Sequence, residues 1–191
     1  MIDSFNKSAF LFFNQLADQS AWLNWIIIAA AEYLPFLFIA YLVCLWLSKD
    51  KDYRENSLLA GYSAIIGIGM NFFIGLFYFH PRPYVENIGV AIINHVPDAS
   101  FPSDHTTFML SIAFTLFFLK KKKTAGFVLI ALGVVGGLSR VASGIHYPLD
   151  IVGSIVVSIA ASTVILLLKE KLNPVNQYID YLYDRLLNKI V

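Results

Sequence analysis

The stretch TAGFVLIALGVVGGLSRVASGIHYPLDIVGSIVVSIAASTVILLL, residues 124–168, decides how the chain is read. It holds two apolar runs, 124–142 and 148–168, with residues 143–147 between them. A helix needs roughly 20 apolar residues to cross a bilayer, and each run is close to that length. Neither run alternates with a period of two, so helices fit better than barrel strands. At the junction stand Ser139, Arg140, His146 and Asp150. Charge beside hydrocarbon is expensive, so its presence there points to a function.

Three more runs of the same character lie upstream, at about 22–47, 57–79 and 103–119. The last is the shortest and is expected to begin inside protein rather than in lipid. Residues 2–19 and 173–190 mix Phe, Leu, Ile and Tyr with Asp, Asn, Gln and Lys, and read as amphipathic helices at the membrane surface. The composition agrees: 58% of the 191 residues are hydrophobic and 14% are charged, against roughly 25% charged in a soluble domain. The expected architecture is all-α, a polytopic membrane bundle of about five spanning helices with amphipathic terminal helices. It forms one domain over residues 1–191, with no internal repeat or low-complexity linker. A net charge of +1 offers no field to attract nucleic acid. Cys44 is the only cysteine, so no intramolecular disulfide is open to the chain, and it is expected as a small buried apolar residue. The start of the chain, where Asp3 precedes Lys7, does not read as a cleaved signal peptide. Nothing in the sequence sets an oligomeric state.

Orientation follows from lysine and arginine in the short loops. Lys49, Lys51 and Arg54 lie in 48–56, four lysines fill 120–123, and Lys169 and Lys171 follow the last run. Five alternating spans put all of these on one side, expected to be cytoplasmic, where they anchor the topology. Residues 80–102 and 143–147, with Arg82 and His146, fall on the other side, and the chemistry is expected to face outward.

Three clusters carry that chemistry: Pro81-Arg82-Pro83, Pro102-Ser103-Asp104-His105 and the junction from Ser139 to Asp150. Arg82 and Arg140 offer planar guanidinium groups that bind phosphate through paired hydrogen bonds. Pro102 and Pro148 suit the first turns of helices, with Ser100 a possible N-cap of the first of these. Helix N-termini present free N–H groups to an anion. Ser103 would contribute there through its hydroxyl or amide. His146 and Asp150 are four apart, so the carboxylate can reach one ring nitrogen, fix the tautomer and leave the other nitrogen free to attack phosphorus. His105 is the candidate acid for the leaving oxygen. Glu32 stands inside the first run, where an acid is a functional candidate; it would pair with Arg82 or Arg140 or touch substrate. Pro35 nearby is expected to bend that helix and free backbone carbonyls. His80 and His95 read as loop residues without a catalytic role.

These residues resemble the type 2 phosphatidic acid phosphatase (PAP2) superfamily, whose motifs read K-x6-RP, PSGH and SR-x5-H-x3-D. Ser139, Arg140, His146 and Asp150 match the third motif in full. Pro102, Ser103 and His105 match the second, with Asp104 where the family usually has glycine. Arg82 and Pro83 match the end of the first. The lysine position falls on Gly75, and Asn71, one helical turn earlier, is the candidate to substitute in part. The resemblance implies a phosphatase that uses no metal and no cofactor and works through a phosphohistidine on His146. Asp150 would orient that ring, His105 would protonate the leaving group, and Arg82, Ser103 and Arg140 would bind the phosphoryl oxygens. The chain is most similar to the bacterial bacitracin-resistance undecaprenyl-diphosphatases, which implies hydrolysis of undecaprenyl diphosphate at the outer face of the cytoplasmic membrane. Such a reaction recycles the lipid carrier of the cell wall and competes with bacitracin for the diphosphate. The alternatives are a broader lipid phosphate phosphatase, acting on phosphatidylglycerol phosphate or phosphatidic acid, and a lipid transporter that binds phosphate without cleaving it. A vanadate-dependent haloperoxidase shares the motif residues, but the five apolar runs argue against a soluble relative.

Overall fold

The computed structural model describes residues 2–17, 19–119 and 122–187. These residues form seven helices and no strand. They are α1 (Ile2–Asn14), α2 (Ala21–Trp46), α3 (Lys51–Phe77), α4 (Asp104–Phe118), α5 (Lys123–Ala142), α6 (Pro148–Leu167) and α7 (Lys169–Leu187). Local chemistry sets several starts. Ser20 accepts from the Leu23 N–H to cap α2, and Asp50 accepts from the Asp52 N–H to cap α3. Pro148 occupies the first turn of α6, where no N–H partner is needed.

Helices α2, α3, α5 and α6 are long and apolar enough to cross a membrane. The run at 103–119, expected as a fifth span, is shorter. Helix α4 has 15 residues, about 22 Å at 1.5 Å per residue, below the roughly 30 Å of hydrocarbon. The reason is its starting point, since Ser103 is fully buried within the bundle. Helix α4 is the central element, packed by α3, α5 and α6. Small residues let the backbones approach: a Cβ on Gly126 would lie 2.2 Å from the Phe117 nitrogen. Three serines of α6 stitch onto three carbonyls of α4, each one turn apart. Ser154, Ser158 and Ser162 donate to Ser103, Thr107 and Ser111 at 3.0, 3.1 and 3.0 Å. Such bonds between membrane helices average about 0.6 kcal/mol each, and here they fix the register of α6 on α4.

The basic segments gather at one end of the bundle. Arg54 pairs with Asp180 and Asp184 of α7, Lys169 pairs with Glu55, and the Lys122 ammonium lies 3.3 Å from the Tyr53 ring centroid. Lys120 and Lys121 of the four-lysine loop, and residues 188–190 of the C-terminal segment, lie outside the described residues. Helix α7 packs at this end; α1 packs at the other, against α5 and α6. Cys44, expected as buried, is exposed on α2, on a helix whose large apolar side chains Trp22, Trp25 and Phe36 also face outward. In a membrane, lipid rather than protein receives that face.

Candidate active site

The site is built where α5 ends and α6 begins. Gly144 has φ +88, and a Cβ there would meet the Val90 carbonyl oxygen at 2.2 Å. Only glycine permits this turn. It brings His146 to a buried position just ahead of Pro148. Asp150, in the first turn of α6, accepts from the Tyr147 backbone N–H at 2.8 Å and from the Ser100 hydroxyl, and its Oδ2 lies 3.3 Å from His146 Nδ1. The other ring nitrogen, Nε2, lies 3.0 Å from Arg82 Nη1. Arginine has no acceptor, so Nε2 must present its lone pair and Nδ1 carries the proton toward Asp150. Burial pushes the His146 ring down to about 4 against the pull of Asp150, and Arg82 and Arg140 act in the same direction as burial. The ring is neutral at physiological pH, with its free lone pair on the arginine side.

Arg82 is held from several directions. Its Nε donates to Asp98 at 2.6 Å and its Nη1 to the Ile145 carbonyl at 2.9 Å. Arg140 is also buried, and its Nη1 donates to the Ala31 carbonyl at 3.1 Å and to Glu32 at 3.0 Å. The Ala31 contact has its origin in the sequence. Proline at position 35 has no N–H, so the carbonyl four residues earlier lacks a helical partner, and Arg140 supplies one. Among the described residues Arg140 Nε has no partner. Ser103 sits at the N-cap position of α4, and its hydroxyl accepts from Thr106 at 3.1 Å. Ser154 ties this corner to the start of α6, its hydroxyl lying 3.0 Å from the Ser103 carbonyl and 2.9 Å from that of Asp150. His105 is half-buried and lies within electrostatic reach of Arg140, Glu32, His95 and Arg82.

Arg82, His146 and Asp150 thus touch in a line, with Arg140, Glu32 and His105 grouped beside them. Two sequence expectations change. Asn71 spends both amide hydrogens on α4, donating to Asp104 at 2.8 Å and to Thr107 at 3.0 Å. No N–H remains on it to stand in for the missing lysine. Ser100 does not cap the helix after Pro102: α4 starts later, with Ser103 at its N-cap, and Ser100 serves Asp150 instead. Asp98, Ser100 and the α1 residues Asn6 and Asn14 escaped the sequence reading of the site. Asn14 donates to the Val90 and Ala142 carbonyls at 2.7 and 2.9 Å and accepts from the Val90 N–H at 2.7 Å. Asn6 accepts from the Leu149 N–H at the start of α6. No local pattern could have marked these residues, because their partners are 16 to 143 positions away.

The PAP2 superfamily profile matches residues 56–174. Undecaprenyl-diphosphatase BcrC of Bacillus subtilis (strain 168) is 34% identical over 185 residues, covering 97% of this chain and 95% of that protein. The crystal structure of Aquifex aeolicus LpxE superposes with a TM-score of 0.70 at 20% identity, covering 85% of this chain and 94% of that one. The first transmembrane PAP2 type phosphatidylglycerolphosphate phosphatase from Bacillus subtilis gives a TM-score of 0.60 at 19% identity, covering 89% and 87%. At those identities the two structures speak to the fold alone.

Proposed function

The chain belongs to the PAP2 superfamily, and from that membership we propose that it removes the terminal phosphate of undecaprenyl diphosphate, giving undecaprenyl phosphate and inorganic phosphate. It is a multi-pass membrane protein and a lipid phosphate phosphatase. The choice of undecaprenyl diphosphate is supported by the relative of that name, which matches almost end to end. The observation that carries the mechanism is the line Arg82–His146–Asp150, with 3.0 Å and 3.3 Å separations on opposite sides of one imidazole.

The reaction runs in two displacements without a bound metal. A phosphoryl oxygen takes the Arg82 N–H that now faces Nε2, which uncovers the lone pair. Nε2 attacks the terminal phosphorus, the bridging P–O bond breaks, and the departing undecaprenyl phosphate takes a proton from His105. Asp150 stabilises the charge that develops on the ring. Water then attacks the phosphohistidine with His105 as base, the P–N bond breaks, and inorganic phosphate leaves with Nε2 restored. Arg82, Arg140 and Ser103 hold the equatorial oxygens throughout. The loop charge bias supports a site on the extracytoplasmic side of a bacterial cytoplasmic membrane, where recycling of the carrier lipid would confer bacitracin resistance.

The test is phosphate release in detergent from undecaprenyl diphosphate, phosphatidylglycerol phosphate and phosphatidic acid, with wild type and His146→Ala. The expected result is a clear preference for the diphosphate and loss of all turnover in the variant. Equal rates on all three lipids would remove the narrow substrate assignment, and turnover surviving in the variant would remove the nucleophile.

A further inference from the structure

The turn that carries Arg82 meets the loop that carries His146 at a second contact, between Glu86 and Tyr147. Tyr147 follows His146 directly, and its hydroxyl donates to Glu86 Oε2. Tyr147 is fully buried, with its ring in edge contact with Phe10 at 5.4 Å and with His80 at 5.2 Å between centroids. Its backbone N–H donates to Asp150 at 2.8 Å. The residue beside the reacting imidazole is thus held at its backbone, along its ring and at its hydroxyl.

Glu86 lies one turn beyond Arg82. Its N–H donates to the Arg82 and Pro83 carbonyls at 3.3 and 3.1 Å, and the Val85 N–H donates to the Arg82 carbonyl at 3.0 Å. The two side chains therefore leave one hydrogen-bonded turn. Lys7 of α1 stands 3.3 Å from Glu86 Oε2. The Tyr147 hydroxyl, and after it Lys7, hold the Glu86 carboxyl below its ordinary value against partial burial. The acceptor is a carboxylate at neutral pH, and a hydrogen bond to an ionised group is stronger than one between neutral groups.

The bonds made by Arg82 show what this contact does. Both of its bonds to the His146 loop leave a single nitrogen, Nη1, at 2.9 Å to the Ile145 carbonyl and 3.0 Å to His146 Nε2. In the displacement at His146 a phosphoryl oxygen takes the N–H that faces Nε2. That contact breaks and reforms in every turnover, and the Ile145 bond alone is a pivot. Glu86 and Tyr147 take no part in the exchange, so their bond persists through it and supplies the second fixed point.

We propose that Glu86 and Tyr147 are positioning residues, whose hydrogen bond keeps the Arg82 turn in register with His146 while Arg82 passes from the ring to the phosphoryl group. The proposal rests on the reading of His146 as nucleophile and Arg82 as phosphate ligand.

Tyr147→Phe removes the hydroxyl and keeps the ring. Glu86→Ala removes the acceptor, and Glu86→Gln restores an acceptor without the charge. The experiment measures two quantities in detergent: phosphate release from undecaprenyl diphosphate, and the rise in melting midpoint that orthovanadate causes. Tyr147→Phe and Glu86→Ala should each lower kcat by about tenfold with KM changed less than about threefold, as a misplaced phosphate ligand does. Each should also reduce the vanadate shift by about half or more, since stabilisation follows affinity. Glu86→Gln should recover part of both losses. The Tyr147→Phe, Glu86→Ala double variant should lie within about twofold of the poorer single variant, because both remove one bond. If Tyr147→Phe keeps the wild-type kcat and vanadate shift and lowers only the melting midpoint, the contact is a structural tie and the proposal fails. Losses that multiply in the double variant would also overturn it. A wild type that releases no phosphate would end the hydrolytic reading instead. The vanadate shift would then decide this proposal, which stands if Tyr147→Phe reduces the shift and falls if the shift is unchanged or is absent from wild type.

Discussion

Glu32 of α2 and Arg140 of α5 form an ion pair of 3.0 Å across 108 positions of sequence. Arg140 is almost wholly buried, while the Glu32 side chain keeps about a third of its surface exposed, 35%. An acid inside a membrane span costs on the order of 2.5–3.5 kcal/mol when unpaired, and here the pairing serves a second purpose. Glu32 and the Ala31 carbonyl occupy both hydrogens of Arg140 Nη1. The guanidinium is pinned by one nitrogen, which leaves its Nε edge for another partner.

Glu32 is therefore expected to act on catalysis through Arg140, as a positioning residue. Glu32→Ala should lower kcat by about tenfold or more, since small misplacements of a phosphate-binding group are costly. It should weaken inhibition by orthovanadate, which mimics the five-coordinate phosphoryl group. Glu32→Asp should recover part of both. In an Arg140→Ala background the Glu32→Ala change should add little, because the partner it positions is gone. Equal fractional losses in the two backgrounds would mean that Glu32 acts independently.

Asp150 sets the tautomer of His146, and Asp150→Asn tests that role. An asparagine amide facing Nδ1 can offer N–H where the carboxylate accepts, which favours the wrong ring proton. By analogy with the same change in a Ser-His-Asp triad, kcat should fall by about 10²–10⁴ with KM little altered. A burst of undecaprenyl phosphate, the product of the first displacement, separates the two steps. A loss of less than threefold would leave Asp150 as a helix cap and nothing more.

The pH dependence follows from burial of His146. In the folded chain its pKa is lowered to about 4, from the ordinary 6.5. Between those values the unfolded chain binds the proton and the folded chain does not. Stability should therefore rise with pH across that window and level off above it. Activity needs His146 neutral and His105 protonated, and burial together with the nearby Arg140 lowers His105 to about 4 as well, so kcat/KM should be bell-shaped, with its acid limb near pH 4 and a fall towards neutral pH. Phosphate release measured from pH 3.5 to 7.5 checks this, and an acid limb centred above pH 6 would contradict it.

The parts of this molecule that could be read from sequence were those encoded at short range. Apolar runs gave α2, α3, α5 and α6 because lipid demands about 20 consecutive apolar residues of any spanning helix. His146 and Asp150 were legible because four residues of chain bring them together. Pro35 announced a free carbonyl, and the structure places Arg140 on it. The shortness of the run at 103–119 already marked α4 as starting inside the protein, and Ser103 is buried there. Asn71 is set by tertiary structure instead: position 71 is one turn from 75, but Asp104, its partner, is 33 residues away. Ser100, Asp98 and Asn14 carry no motif, and only the folded chain brings them to the site.

Asn14 gives the sharpest test of how α1 supports the catalytic loop. It is buried, with 4% of its surface exposed, and one amide joins two segments, the loop at Val90 and the end of α5 at Ala142. Removing it strands three backbone groups near the turn at Gly144. Asn14→Ala should cost about 1–3 kcal/mol, a fall in melting midpoint of several degrees for a chain of this size. Asn14→Asp discriminates between packing and hydrogen bonding. It keeps the volume and the acceptor for the Val90 N–H, but sets a carboxylate oxygen against two carbonyl oxygens. If the hydrogen bonds matter, aspartate should be worse than alanine in melting midpoint and in kcat. If only volume matters, aspartate should be the milder change, and α1 would be a cover rather than a buttress for the site.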